Sequence, residues 1–246
     1  MLRTDTSSSG IWGTVWLECV PPVSIEQVVP ITTEDRSGFR VEVGVRSGSH
    51  LGVDNDIAAG SKVEVTLSSK KPGCADITRE QPVVGGGALT VVAGLELAPA
   101  CRHLWSPKSP FLYNLSVALT QGGRMVDTVA SYAGLRTYTV GAVDGVIRPL
   151  LNGKFVYQMA TLDQGFWPDG NYAAPTDAAL RSDLEAHKTL GFNAVRKHQK
   201  VETRRWYHHA DVLGLLVWQD MPCCADSTFP AQVTNIGARR PPNTPG

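Results

Sequence analysis

The run from Gly191 to Pro222, GFNAVRKHQKVETRRWYHHADVLGLLVWQDMP, concentrates the side chains able to do chemistry. Arg196 closes NAVRKH and suits two tasks: a charged clamp on substrate hydroxyls or on a carboxylate, or one half of a structural ion pair. His198 is a hydrogen-bonding contact or a satisfied structural histidine. Asp220, and Asp163 at the end of YQMATLD, either accept hydrogen bonds from a ligand or cap the turns that follow them. Trp218 has a flat apolar face on which a ring can stack, but a tryptophan inside an apolar strand belongs by preference in the core. His208 and His209 are helical neighbours and point in different directions, which suits neither a metal nor a catalytic pair, so surface and helix-packing roles are expected.

These residues need elements to hold them. PTDAALRSDLEAHKTLG places Pro175 and Thr176 at a helix start, with Leu180, Leu184 and Leu190 along one face and Gly191 just past the end. NAVRKH follows as a strand. VETRRWYHHADVLG is a second helix with Trp206, Ala210 and Leu213 on one face and Gly214 as its stop, and LLVWQDMP is the next strand. Strands and helices alternating through short turns are the grammar of a parallel sheet or a (β/α) barrel. In a barrel of that kind the ligand site lies at the C-terminal ends of the strands. Asp163, Arg196, His198, Trp218, Gln219 and Asp220 are therefore expected to face one mouth.

Ahead of this, from about Val15 to Thr139, the period is two. FRVEVGV alternates Phe39, Val41, Val43 and Val45, KVEVTL alternates Val63, Val65 and Leu67, and LTVVAGLEL and LYNLSVAL continue the pattern. Breaks such as EDRSG and SGSHLGVDND separate strands at the intervals of an antiparallel sandwich, a β domain of about 120 residues. SSSGIWGTVWLECVPP reads as a strand arriving from something earlier, and residues 223–246 read as an irregular tail rich in Pro and Gly. Both ends of the sequence look cut.

The composition narrows the partners. The chain has 246 residues, 42% of them hydrophobic, with Lys plus Arg equal to Asp plus Glu at 23 each. That is enough apolar content for a sizeable core, and the balanced charge gives no reason to expect nucleic acid or an anionic membrane. No apolar run is long enough to span a bilayer, and MLRTDTSSSG lacks the apolar stretch of a secretory signal. The five cysteines (Cys19, Cys74, Cys101, Cys223, Cys224) show no CxxC spacing, so buried or incidental thiols are expected, neither a zinc site nor a complete disulfide framework. VVGGGAL precedes strand grammar, not a helix, and is no phosphate loop, so no cofactor is expected. Asn114-Leu115-Ser116 matches a glycosylation sequon inside an apparent strand, and Arg239-Arg240 is too short for a nucleic-acid patch.

The succession SGIWGTVWLE, LWSPKSPFLYNLSVAL, YAGLRT, LLNGKFVY, TLDQGFWPDG, GFNAVRKH and LGLLVWQDMP resembles glycoside hydrolase family 2, the family of β-galactosidases, β-glucuronidases and β-mannosidases, over roughly residues 9 to 222. The resemblance implies the last strand of a jelly-roll sugar-binding domain in residues 1–20, an immunoglobulin-like sandwich in 21–139, and the first βα units of a truncated TIM barrel in 140–222. It also implies a β-glycoside substrate and, for His198, a sugar contact; Asp163, Arg196, Trp218 and Asp220 are candidate sugar contacts from their places at the strand ends. The family pattern often reads Arg, two residues, His, whereas this chain reads Arg196, Lys197, His198, a departure of one residue.

A retaining glycosidase needs two carboxyl groups about 5–5.5 Å apart, one an acid and one a nucleophile. In the family resembled, these are the Glu of an Asn-Glu pair after the fourth barrel strand and a second Glu after the seventh. The sequence contains no Asn-Glu pair and ends soon after the third strand. No catalytic residue is therefore expected in it, and the leading expectation is an inactive fragment of a glycosidase. The rival expectation is a non-catalytic carbohydrate- or protein-binding scaffold.

Overall fold

The computed structural model describes residues 11, 13–47, 60–83 and 89–221. The tail 223–246, with Cys223, Cys224, Arg239 and Arg240, and the glycine run 85–87 lie outside them.

Seven strands form two antiparallel sheets, one ordered β1 (Val23–Thr32), β2 (Gly38–Ser47), β5 (Leu89–Glu96), the other β4 (Ile77–Pro82), β3 (Lys62–Ser68), β6 (Tyr113–Gln121), β7 (Arg124–Ala133). The alternation read from the sequence sets their faces. Phe39, Val41, Val43 and Val45 of β2 and Val63, Val65 and Leu67 of β3 are all at most 1% exposed and share one core with Leu115, Val117 and Leu119 of β6. Each fully buried side chain of this size contributes about 1.5–3 kcal/mol by leaving water, and the period of two directs all of them inward. Tyr113, wholly buried at the start of β6, donates its hydroxyl to the Cys101 carbonyl at 2.6 Å and accepts from the His103 N–H at 2.7 Å, which ties the incoming loop to the core.

Two expectations change here. Cys74 and Cys101 are not incidental thiols but a disulfide, with Cα atoms 5.8 Å apart. The 27-residue separation hides the pairing, because the sandwich brings together the loop after β3 and the turn at Pro99–Cys101. Residues 13–20, read as a strand, pair with no strand among the described residues, and Trp16 and Leu17 are exposed.

A three-stranded meander of β8 (Tyr138–Val143), β9 (Val146–Leu151) and β10 (Lys154–Phe155) follows. Its turns are Asp144-Gly145 and Asn152-Gly153, with φ of 51° and 75°, and 55° and 77°. Both dipeptides suit two-residue hairpin turns that need positive φ twice, so Asp-Gly and Asn-Gly in the sequence were the signal for elements the periodicity reading passed over.

The last layer is a parallel sheet, β11 (Ala160–Asp163), β12 (Ala194–Lys197), β13 (Leu216–Gln219), whose connections run through α1 (Asp177–Thr189) and α2 (Arg204–Leu213). The Thr176 hydroxyl caps α1 by accepting from the Ala179 N–H at 3.0 Å, and Gly214 ends α2 at φ 75°. Leu180 and Leu184 pack on Val195, Trp206 and Ala210 as the helical period requires. Leu190 does not join them. It sits at the C-cap, 73% exposed, because the helix has already ended at Thr189.

The sandwich and this layer meet at Trp105, which is wholly buried among Leu151, Ala194 and Leu216. Its indole N–H donates to the Asp211 carbonyl at 2.8 Å, and the Arg136 guanidinium lies 4.2 Å above its ring. The Asp211 carboxylate accepts from Arg136 at 2.7 Å and from the Tyr132 hydroxyl at 3.0 Å. Burial, then the Asp211 charge, pushes the Tyr132 phenol well above its usual value.

Candidate functional site

The register of the parallel strands assigns every candidate a face. Leu162, Arg196 and Trp218 are aligned across β11, β12 and β13, and so, one residue on, are Asp163, Lys197 and Gln219. Neighbours along a strand point to opposite sides, so the two rows face opposite ways. The helices cover the row of Asp163, Lys197 and Gln219: the Lys197 ammonium lies over the Trp206 ring of α2, and Gln219 accepts a hydrogen bond from Tyr207 of the same helix. The row of Leu162, Arg196 and Trp218 is left uncovered, with Leu162 55% and Trp218 48% exposed.

The expectation of one shared mouth is therefore corrected for Asp163 and Gln219. Asp163 gives one carboxylate oxygen to Lys197 at 2.7 Å and the other to the Gly165 N–H at 2.7 Å. The preference for Trp218 as core is corrected as well. No element lies over it among the described residues, and its indole N–H donates to the Gln158 side chain.

On the uncovered side Arg196 grips Asp220 with two nitrogens, Nη2 at 2.9 Å from Oδ2 and Nε at 3.2 Å from both oxygens. This forked contact holds the Asp220 carboxyl below the usual carboxylate range and the guanidinium above its own ordinary value. His198 stands just beyond β12. Its backbone N–H donates to the Asp163 carbonyl at 2.8 Å, and its Nδ1 meets the Gln164 amide nitrogen at 3.3 Å. With that amide donating, Nδ1 accepts, and a neutral imidazole keeps its proton on Nε2. Gln158, which also donates to the Tyr138 hydroxyl at 2.6 Å, joins the group without having been singled out in the sequence. It lies outside the βα grammar, in the segment before β11, so no strand-end rule points to it.

Polar and aromatic groups thus gather at the C-terminal ends of a parallel sheet, in an α/β layer fused to an all-β domain. The fold is similar to that of solved structures. It aligns with a β-glucuronidase from Parabacteroides merdae at a TM-score of 0.63, with 20% identity over 82% of this chain and 24% of that one. A family 2 β-galacturonidase from Eisenbergiella tayi aligns at 0.61, with 20% identity over 82% of this chain and 34% of the other.

Sequence defines the family. Residues 23–136 match the profile of the glycosyl hydrolases family 2. A Formosa agariphila protein provisionally named a β-glucuronidase is 34% identical over 223 residues, 87% of this chain and 24% of the relative. A Vibrio cholerae β-galactosidase is 24% identical over 230 residues, 90% of this chain and 21% of the relative. The chain belongs to glycosyl hydrolase family 2 and spans about a quarter of the length of these relatives.

Proposed function

We propose that this chain is the substrate-orienting part of a β-glycoside hydrolase, and that its uncovered sheet face binds the sugar. The observation that carries the reading is the Arg196–Asp220 pair beside a half-exposed Trp218 at the C-terminal ends of parallel strands. A carboxylate held by a guanidinium is a fixed acceptor for vicinal hydroxyls, and an indole face accepts the apolar side of a pyranose. His198, with its Nε2–H, supplies a donor at the same rim.

On this reading residues 21–139 are an immunoglobulin-like sandwich. The strand order and the buried Tyr113 hydroxyl bonded to the preceding loop support that assignment. Residues 140–222 then open a TIM barrel. Support for the barrel comes from the edge of β13. Leu216 and Asp220 give their N–H groups to the β12 side, so the alternate groups of Val217 and Gln219 face the other way, along a groove of about 400 Å³ walled by Trp105, Leu151 and Trp218. A further parallel strand fits that edge.

Neither aspartate suits the acid role. A general acid needs a carboxyl raised toward neutrality, whereas Arg196 lowers that of Asp220, and both oxygens of Asp163 are engaged by Lys197 and Gly165. The segment binds and orients, and the paired carboxylates of the reaction lie on other βα units. Two measurements test this. Methyl β-D-galactoside or methyl β-D-glucuronide should perturb Trp218 fluorescence in the 246-residue chain, and Trp218→Ala should abolish the signal. Turnover of the 4-nitrophenyl glycosides by that chain, lost in Asp220→Asn, would overturn the division of roles.

A further inference from the structure

Behind the uncovered face lies a chain of buried charges that the sugar site does not use. Asp163, Lys197, Glu202 and Lys200 alternate in sign. Lys197 Nζ lies 2.7 Å from Asp163 Oδ2 and 2.7 Å from Glu202 Oε1, and Lys200 Nζ lies 2.8 Å from the same Glu202 oxygen. The side chains of Lys197, Glu202 and Lys200 are at most 5% exposed and that of Asp163 12%. Lys200 also donates to the carbonyls of Gly165 and Tyr172, at 2.9 Å each, and its ammonium lies 4.4 Å from the centre of the Tyr172 ring. The network therefore spans two loops: the one that leaves β11, through Gly165 and Tyr172, and the one that leaves β12, through Lys200 and Glu202.

Packing leaves this junction little freedom. Gly165 has φ 69°, and a Cβ there would fall 2.6 Å from Lys200 Cδ and 2.7 Å from a Glu202 oxygen. Four charges withdrawn from water cost more than an apolar cluster of equal volume, so stability alone is a poor reason to keep them. What they supply is direction: each ammonium has a defined set of oxygens to reach, and those oxygens belong to different loops. The same two loops carry Gln164 and His198, whose contact at 3.3 Å borders the Arg196–Asp220 pair on the opposite face.

Resting on the carbohydrate reading of that face, we infer that Lys197 and Lys200, with Asp163 and Glu202, are positioning residues for the sugar site: they set the two strand-end loops from behind and so place Gln164 and His198 at its rim. Asp163 then acts through Lys197 and does not touch the sugar.

The test uses Lys197→Met, Lys197→Arg and Asp163→Asn in the whole chain, followed by the ¹H–¹⁵N signals of the His198 imidazole and by titration with methyl β-D-galactoside and methyl β-D-glucuronide. Lys197→Met and Asp163→Asn are expected to shift the His198 ring signals and to weaken saccharide binding by about tenfold, while Lys197→Arg, which keeps the charge, restores much of both. A rescue by charge is what a purely space-filling role would not give. Unchanged His198 signals and unchanged affinity in Lys197→Met and Asp163→Asn would overturn the inference. If the unaltered chain binds neither glycoside, the carbohydrate reading fails, and the His198 signals still decide whether the buried charges set the loops. Should Lys197→Met not fold, Asp163→Asn and Lys197→Arg carry the same two readouts.

Discussion

Replacing Asp211 with alanine should separate the two halves of the molecule energetically. The carboxylate accepts from Arg136 at 2.7 Å and from Tyr132 at 3.0 Å, so the change removes two hydrogen bonds that link α2 to the sandwich. Hydrogen bonds to a charged group are worth about 1.5–3 kcal/mol each. The Arg136 side chain is 36% exposed, which lets water screen the ionic share and replace part of what is lost. Together the two should cost about 2–3 kcal/mol, most of it from the Tyr132 hydroxyl left without its acceptor. For a chain of this length that is a fall in Tm of about 5–10 °C. Urea and thermal unfolding followed by the fluorescence of Trp105 measure it directly, since that indole is wholly buried at the junction. Asp211→Asn should recover part of the loss, and combining Asp211→Ala with Tyr132→Phe should give less than the sum of the single effects, because the two residues share one bond. A stability within about 0.5 kcal/mol of the unaltered chain would refute the reasoning, since water would then replace both hydrogen bonds at almost no cost.

Three other outcomes are expected. The Tyr132 phenol titrates above its usual value in the folded chain, so the stability this gives is whole below the unfolded tyrosine value of about 10 and is lost as pH climbs toward the folded one; denaturation curves between pH 9 and 11, run beside Tyr132→Phe, should show the steeper alkaline decline in the unaltered chain. Converting Cys74 and Cys101 to serine opens a 27-residue loop and should lower stability by about 3.5 kcal/mol on loop entropy alone, readable by urea unfolding with and without reductant. Gly214→Ala should destabilise by about 2 kcal/mol or more, because its φ is 75° and the added Cβ would stand 2.6 Å from the Pro107 carbonyl oxygen across the junction; a thermal melt equal to that of the unaltered chain would show that the loop at Pro107 yields freely.

Local pattern carried much of the architecture. Alternation along FRVEVGV and KVEVTL is enough to assign which side chains of β2 and β3 are buried, since a strand has only two faces. The Thr176 cap and the Gly214 stop are equally local, because each depends on hydrogen bonds or backbone angles within one turn. The family, too, was legible in the ordered motifs from SGIWGTVWLE to LGLLVWQDMP. What the sequence could not decide were matters of register and of approach between distant segments. Asp163 lies one position beyond Leu162 in the row shared with Lys197, so it turns toward the helices, and a strand-end rule that ignores the period of two cannot see this. Trp218 looked like core from its apolar neighbours, but burial depends on what lies opposite, and no element does among the described residues. The Cys74–Cys101 bond and the Asp211 network join residues 27 to 106 positions apart, and such pairs become neighbours only once the sheets have stacked and α2 has docked against Trp105.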